Sequence, residues 1–262
     1  MTGRGPHSMS AFRESLTRLF FPPKCVACGS LLEPPLDVFC PVCLSEYERS
    51  KMLSCAQCLK PFGECSCSCD FLRSHGVSHL YKVFGYRAGE GDAPANKLIF
   101  SLKNDNFRTT YRFAAREWEQ VLKHHNIPCD DAIVTYIPSS RRRLMMSGFD
   151  HGRQMAKALA SRIGSVVLPT LVCSPSARKT MQKEMTHDQR LSRAGTLFAA
   201  KKKTVVPKGK NIILIDDIST SGATLYSAVS VLRGIGARRV YCLVLGETIR
   251  PYHNAQTPSH KK

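Results

Sequence analysis

The sequence lacks any apolar stretch that approaches the roughly 18 residues of a membrane-spanning helix. Its first 20 residues contain three arginines, but neither an uninterrupted apolar core nor the small-residue cleavage site of a secretory signal. Tryptophan occurs only once, so the chain offers no obvious stacking platform of the kind that dedicated readers of single-stranded nucleic acid use. We therefore expect a cytoplasmic protein with no membrane span.

Acidic residues are also few, since 20 Asp and Glu stand against 38 Lys and Arg and leave a net charge of +18. This balance favours polyanionic partners, either nucleic acid or a pyrophosphorylated sugar. The basic excess includes local clusters at 141–143, 201–203 and 238–239. For each cluster, a solvated basic surface without a dedicated partner is the alternative interpretation.

Cysteine is abundant but unevenly placed, with nine of 12 residues between Cys25 and Cys69. Clustered cysteines in a cytosolic protein are typical of metal sites rather than of a disulfide scaffold. The first set consists of two Cys-x2-Cys pairs separated by eleven residues, a spacing that brings four thiolates around one tetrahedral zinc ion. Its predicted ligands are Cys25, Cys28, Cys40 and Cys43.

A second cysteine set follows and offers five thiols for four positions. Its predicted ligands are Cys55, Cys58, Cys67 and Cys69, which leaves Cys65 spare, although Cys67 is an alternative spare. We expect one or two structural zinc ions, which would fold this core-poor segment outright. An iron–sulfur cluster is the competing interpretation, because such clusters are also held by four cysteines.

The most informative segment for function is residues 212–224. Four consecutive aliphatic residues predict a buried strand of a parallel sheet, and two aspartates follow where we expect the strand to end. A loop of small residues then opens an apolar-periodic helix, an arrangement that presents backbone amides to a phosphate. Ionised carboxylates only accept hydrogen bonds, so they suit a neighbouring diol or a divalent cation. The predicted ligand is a sugar phosphate, with Asp216 and Asp217 at the hydroxyls and Ser219, Thr220, Ser221, Gly222, Ala223 and Thr224 at the phosphate.

The rest of the chain alternates predicted strands with predicted helices, which indicates an α/β fold with a mostly parallel sheet. Loops are expected at 139–143, 174–196 and 201–210. Strands are predicted at 81–86, 132–137, 166–168 and 240–245, and helices at 12–21, 95–103, 108–124 and 150–163. The predicted organisation is a tail with a short helix at 1–21, a cysteine-rich zinc module at 22–75, the α/β domain at 76–250 and a basic tail at 251–262.

Residues 212–224 resemble the phosphoribosyl-pyrophosphate (PRPP) motif of type I phosphoribosyltransferases, with Ser221 keeping the hydroxyl of a loop threonine. A cysteine module ahead of such a domain resembles the ComF family, whose members include proteins of DNA uptake during natural transformation. Further matching segments are Phe20-Phe-Pro-Pro-Lys-Cys25, Leu102-Lys103, Ile137-Pro138 with the arginines after it, Gly148-Phe149, Gln182, Arg190 and Phe198. The chain departs from the family at 147–151, where Ser-Gly-Phe-Asp-His replaces Arg-Gly-Phe-Asn-Gln, and at Arg193, which replaces an asparagine.

The resemblance implies a PRPP-binding domain that works with Mg²⁺. Asp216 and Asp217 would be the catalytic residues that hold the ribose hydroxyls, directly or through Mg²⁺. Ser139, Ser140 and Arg141 would bind the pyrophosphate, with Arg142 and Arg143 sharing that role. Lys103, Lys179, Gln182 and Arg190 are further candidates that rest mainly on the resemblance. Two classes of function stay open: a phosphoribosyltransferase, and a non-catalytic protein that senses PRPP or binds single-stranded DNA beside the DNA-uptake machinery.

Overall fold

The computed structural model describes residues 22–105, 107–174, 197–202, 204 and 209–249. The predicted helix at 12–21, the C-terminal tail and the candidates Lys179, Gln182 and Arg190 lie outside the described residues. Within those residues, no helix has the length and apolar character needed to cross a membrane.

The sheet at the centre of the molecule has five strands, and all of its neighbouring pairs are parallel. In chain order these strands are β1 (Leu80–Tyr86), β2 (Ile133–Tyr136), β3 (Val166–Val167), β6 (Asn211–Ser219) and β7 (Arg239–Thr248). Their spatial order is β1-β7-β6-β2-β3. Two further strands, β4 (Leu171–Cys173) and β5 (Phe198–Ala200), form a separate antiparallel pair. The predicted α/β fold with a parallel sheet is confirmed.

The aliphatic run at the start of β6 fills the middle of the sheet because both faces of the sheet are covered. Residues 212–215 are all fully buried. Ile213 and Ile215 belong to one hydrophobic cluster, whereas Ile212 and Leu214 belong to a second cluster on the other face. A strand buried on both faces has no polar alternation, and this accounts for the unbroken apolar sequence.

Seven α-helices are described. They are α1 (Pro41–Lys51), α2 (Asp70–Ser74), α3 (Pro94–Asn104), α4 (Arg108–His124), α5 (Arg141–Ser147), α6 (His151–Ile163) and α7 (Ala223–Gly234). Helices α1 and α3 begin with proline, which is preorganised for a first helical position. Helix α6 begins after Asp150, whose side chain accepts a hydrogen bond from the amide of Arg153.

Two elements differ from the sequence prediction, and both lie near the aspartate pair. Strand β6 does not end at residue 215 but continues to Ser219, because its ladder with β7 extends to the pair Ser219 and Glu247. The predicted loop at 139–143 instead turns into helix α5. The side chain of Ser140 caps that helix by accepting from the amide of Arg143, and Gly148, at φ 74°, ends it.

The cysteine-rich segment packs directly on the sheet domain. Tyr47 of α1 is fully buried and contacts the rings of Phe39, Phe84 and Phe113. Its hydroxyl donates to Glu117 of α4 at 3.2 Å. On the other face of the sheet, Leu72 of α2 is buried in the cluster that also contains the apolar side of α7. The segment is therefore held against both hydrophobic clusters, while the predicted boundary at residues 75 and 76 stays a prediction.

Candidate active site at the carboxyl edge of the sheet

The carboxyl ends of β2 and β6 meet at a cavity of about 720 Å³. In parallel α/β sheets, this edge is the usual place for a ligand. Eight of the predicted site residues line the cavity: Lys103, Ser139, Ser140, Arg142, Arg143, Asp216, Asp217 and Thr224. The lining does not include Arg141, at the exposed start of α5, or the segment from the end of β6 to the start of α7, which consists of Ser219, Thr220, Ser221, Gly222 and Ala223.

The two aspartates differ in their electrostatic surroundings. Oδ2 of Asp217 lies 2.7 Å from Nζ of Lys103 and 3.5 Å from Nε2 of His151. Burial alone would raise the pKa of Asp217, but the contacts with His151 and Lys103 outweigh burial and hold that pKa below its usual range. Burial and the neighbouring charge of Asp217 raise the pKa of Asp216 well above its usual range. The surroundings therefore stabilise the ionised form of Asp217 and destabilise the ionised form of Asp216.

Backbone amides fix the direction of both carboxylates. Oδ1 of Asp216 accepts from the amide of Asp217 at 2.9 Å, and Oδ1 of Asp217 accepts from the amide of Ile218 at 2.7 Å. Each side chain is thus folded back on the next peptide unit, while the cavity stays in contact with both residues. Such preorganisation suits a site that must hold a ligand in a single orientation.

His151 connects the two strand ends and was not among the predicted site residues. The hydroxyl of Ser139 donates to Oδ1 of Asp150 at 2.9 Å and lies 3.0 Å from Nδ1 of His151. The other ring nitrogen of His151 faces Asp217. The sequence signalled this residue only as a departure from the family pattern, because the contact with Asp217 exists only once β2, α6 and β6 are brought together.

The loop between β6 and α7 is shaped by a glycine and by the cysteine-rich segment. Gly222 has φ +80°, and a Cβ placed on it would lie 2.5 Å from Cγ of Leu72 and 3.0 Å from Sγ of Cys69. Only glycine combines this backbone conformation with so close an approach. The loop then passes into α7, and a helix that starts from such a loop offers its first amides to an anion.

The chain matches one family model over part of its length, and it is similar to several solved structures at low sequence identity. The sequence model of the family described as "Phosphoribosyl transferase domain" matches residues 150–260. No curated protein matches the chain. UMP synthase of Leishmania donovani is 18% identical over 58% of this chain, with a TM-score of 0.34, and the match spans 24% of that longer protein.

Adenine phosphoribosyltransferase of Saccharomyces cerevisiae is 18% identical over 57% of this chain and 72% of its own, with a TM-score of 0.34. The protein TT1426 of Thermus thermophilus is 17% identical over 56% of this chain and 86% of its own, with a TM-score of 0.32. The chain has a phosphoribosyltransferase-type domain, and its cysteine groups precede that domain.

Two groups of four cysteines could each hold a metal ion. Within each group, all sulfur atoms lie within 4.8 Å of one another. The distance from Cys28 to Cys40 is 3.7 Å and that from Cys58 to Cys65 is 3.5 Å. A tetrahedral zinc ion with bonds of about 2.3 Å separates its sulfur ligands by about 3.8 Å, so the donor sets fit structural zinc. The members are Cys25, Cys28, Cys40 and Cys43 in one group and Cys55, Cys58, Cys65 and Cys67 in the other.

The second group differs from the predicted ligand set in one member, because the structure brings Cys65 rather than Cys69 together with Cys55, Cys58 and Cys67. Cys67 pairs with His79 in an isolated antiparallel bridge, and the chain then turns into α2 with Cys69 as its N-cap. The thiol of Cys69 donates instead to the carbonyl of Ser221 at 3.4 Å. Spacing alone could not separate these candidates, since Cys65, Cys67 and Cys69 alternate along one extended segment.

Proposed function

We propose that this protein binds PRPP together with Mg²⁺ and acts as a phosphoribosyltransferase. The observation that carries the proposal is the position of Asp216 and Asp217. They stand at the carboxyl end of a buried parallel strand, beside a glycine-containing loop that opens a helix, and both border the 720 Å³ cavity. The family match over residues 150–260 supports the same assignment.

The proposed ligand pose follows from the chemistry of the cavity wall and of the adjoining segment that reaches the wall at Thr224. The ribose hydroxyls would lie at Asp216 and Asp217, directly or through Mg²⁺. The 5′-phosphate would be bound by the amides and hydroxyls of residues 219–224, each charge-assisted hydrogen bond contributing about 1.5–3 kcal/mol. The pyrophosphate would face Ser139, Ser140, Arg141 and Arg142 across the cavity. Lys103 is placed to neutralise Asp217 before the ligand arrives, and its flexible stem lets it turn to a phosphate afterwards.

In the proposed reaction, the bond from ribose C1 to the pyrophosphate oxygen breaks through an oxocarbenium-like state while a nucleophile forms the new bond at C1. Bound Mg²⁺ would neutralise charge on the leaving pyrophosphate. The protein would orient the sugar through the aspartate pair and surround the leaving group with the cations of α5. We assign no general base, because an acceptor that is already nucleophilic requires none.

The ligand assignment is tested by calorimetric titration of the protein with PRPP in the presence of Mg²⁺. We expect saturable binding in the parent and its loss in Asp216→Asn/Asp217→Asn, because neither side chain can then ionise to bind Mg²⁺ or accept from the ribose hydroxyls as a carboxylate. Asp130→Asn/Asp131→Asn is a matched control, since these adjacent aspartates are exposed and lie at the opposite end of the sheet, before β2. Unchanged affinity in the first double variant would discard the assignment.

Turnover is tested separately, by measuring pyrophosphate release from PRPP with a panel of bases, nucleotides and oligonucleotides as acceptors. Release that depends on one acceptor class and disappears in Asp216→Asn/Asp217→Asn supports an enzyme. Binding of PRPP with no release for any acceptor supports the non-catalytic alternative, in which the fold senses PRPP.

The cellular role proposed here rests on the ComF resemblance. We propose that the protein belongs to the ComF family, works in the cytoplasm, and contributes to natural transformation in contact with single-stranded DNA or with DNA-uptake proteins. The net charge of +18 supports contact with a phosphate backbone. Measuring the salt dependence of oligonucleotide binding tests this role, and an affinity that does not fall with salt would argue against it.

A further inference from the structure

A second cavity lies at the opposite, amino-terminal edge of the sheet, where β1 and β7 begin. We call it the arginine pocket. Its volume is about 490 Å³, which is within the range of small-molecule sites. Its wall includes Arg233 at the end of α7, Arg238 and Arg239 at the start of β7, and the rings of Tyr81 and Tyr241.

The electrostatics of the arginine pocket favour an anion. None of the residues that line it is acidic. Among the described residues, the arginines that form ion pairs are Arg73, Arg87, Arg116 and Arg162, and none of these lines the pocket. Three guanidinium groups that share one cavity repel each other, and an anion with several oxygens would remove that repulsion through charge-assisted hydrogen bonds.

One of the three arginines is already held in place. The guanidinium of Arg233 donates to the carbonyl of Gly76 at 2.7 Å, which ties the end of α7 to the turn before β1. Arg238 and Arg239 are exposed, and the backbone of Arg238 is fixed by its amide, which donates to the carbonyl of Lys210 at 2.9 Å. The pocket thus combines one anchored guanidinium with two that can adjust to a ligand.

The aromatic side of the arginine pocket adds a surface for a planar group. The rings of Tyr81 and Tyr241 are 6.3 Å apart and inclined by 45°, and the ring of His79 stacks on Tyr81 at 6.2 Å. All three residues line the cavity. Aromatic rings next to guanidinium groups are the elements that bind a nucleobase and its phosphates.

We infer that the arginine pocket binds a nucleotide, with its phosphates at Arg238 and Arg239 and its base against the tyrosine rings. This site is distinct from the proposed PRPP cavity, because the two lie at opposite edges of the same parallel sheet. The inference does not depend on the proposed transferase activity.

The experiment is a calorimetric titration of Arg142→Ala/Arg143→Ala protein with ATP without added metal, because this change removes two cations from the carboxyl-edge cavity and so weakens it as a competing anion site. We expect one saturable site per chain. Arg238→Ala/Arg239→Ala in that background should weaken ATP binding by about tenfold or more, because two charge-assisted contacts are lost. Lys201→Ala/Lys202→Ala removes the same charge from two exposed lysines outside the pocket wall and should change the affinity by less than about twofold.

Two further titrations separate the parts of the ligand. Inorganic tripolyphosphate should bind more weakly than ATP, and Tyr241→Leu should weaken ATP without affecting tripolyphosphate. ATP binding that survives Arg238→Ala/Arg239→Ala would overturn the proposal. The proposal would also be overturned if the protein bound a single-stranded oligonucleotide but did not bind ATP, because the pocket would then be part of a strand-binding surface. Circular dichroism of each variant checks that the fold is kept, as expected for exposed arginines.

Discussion

The thiol of Cys69 donates a hydrogen bond to the backbone carbonyl of Ser221, with 3.4 Å between sulfur and oxygen. Cys69 follows the second cysteine group directly, and Ser221 belongs to the loop that we propose for the 5′-phosphate. Leu72, one turn further along α2, packs against Gly222 of the same loop. A metal ion in the second cysteine group would therefore hold the segment against which the phosphate loop is built.

Because Leu72 packs against Gly222, we predict that Gly222→Ala disrupts the loop more than the cost of the positive φ angle alone would explain. A residue with a Cβ at positive φ costs about 1–2 kcal/mol. At Gly222, the new methyl group would also meet Leu72 at 2.5 Å. We expect a loss of stability greater than about 2 kcal/mol in urea unfolding, and at least about tenfold weaker Mg²⁺-dependent PRPP binding in calorimetry.

Gly164→Ala is the matched control for this change. Gly164 also has positive φ, at +68°, but nothing lies within 4 Å of the position that a Cβ would occupy there. This variant should lose only the conformational cost of about 1–2 kcal/mol and keep its affinity for PRPP. Equal losses of stability and affinity in the two variants would show that contact with the cysteine segment has no part in shaping the loop.

The second prediction separates the metal ligands of the second cysteine group. Cys65→Ser should lower the metal content by one ion per chain, because its sulfur lies within 4.8 Å of those of Cys55, Cys58 and Cys67. Cys69→Ser should keep the full metal content, since its thiol contacts the Ser221 carbonyl instead. Mass-spectrometric metal analysis of the purified variants measures both. A loss of metal on changing Cys69, with none on changing Cys65, would restore the assignment made from the sequence.

The sequence correctly predicted helices and strands in which the buried positions are apolar and recur at the spacing of that element. The apolar spacing of residues 108–124 predicted a helix, and α4 spans Arg108–His124 with nine of its residues buried. The aliphatic run before Asp216 likewise predicted a strand at the centre of the sheet. In both cases the apolar pattern records the packing that stabilises the element, so the pattern alone is sufficient.

Other features depend on contacts that the sequence pattern does not record. Helix α5 buries none of its residues, so it has no apolar period to detect. The end of β6 is polar, and its extension to Ser219 comes from hydrogen bonding with β7. The choice of Cys65 over Cys69 depends on where α2 begins. His151 enters the site only through its position beside Asp217, across three elements.

The third prediction concerns His151, which bridges Ser139 and Asp217. His151→Leu removes both contacts and leaves only Lys103 and the amide of Ile218 against the Asp217 carboxylate. We expect Mg²⁺-dependent PRPP affinity to fall about tenfold, the loss that one hydrogen bond to a charged group produces. His151→Gln keeps a donor of similar reach and should stay within about threefold of the parent.

Thermal unfolding without ligand distinguishes positioning from a general loss of structure in these two variants. If His151 acts on Asp217, His151→Leu and His151→Gln should differ clearly in their affinity for PRPP but only slightly in their melting temperature. Equal affinities for the two variants, measured by calorimetry, would remove His151 from the proposed site.

The fourth prediction concerns Tyr47, which joins the cysteine-rich segment to α4. Tyr47→Ala should destabilise the protein by about 3–5 kcal/mol, because it empties a fully buried aromatic site. Tyr47→Phe keeps the ring contacts and loses the hydrogen bond to Glu117, for which we expect about 1 kcal/mol. Urea unfolding at neutral pH measures both values, and similar losses for the two variants would mean that the ring packing contributes little.

The buried phenol of Tyr47 should also make the free energy of unfolding depend on pH in the alkaline range. Burial, and then the negative charge of Glu117, raise the pKa of the Tyr47 phenol well above its usual value of 10.0. The unfolded chain therefore releases this proton first, so the stability that the neutral buried phenol contributes is lost as the pH rises above about 10. The parent should lose up to about 1.4 kcal/mol per pH unit more than Tyr47→Phe, which has no phenol to ionise at this position. The other tyrosines are common to both proteins and contribute equally to their pH dependence. Urea unfolding at about pH 9 and about pH 11 measures the two stabilities, and an equal loss of stability in both proteins would contradict a raised pKa for Tyr47.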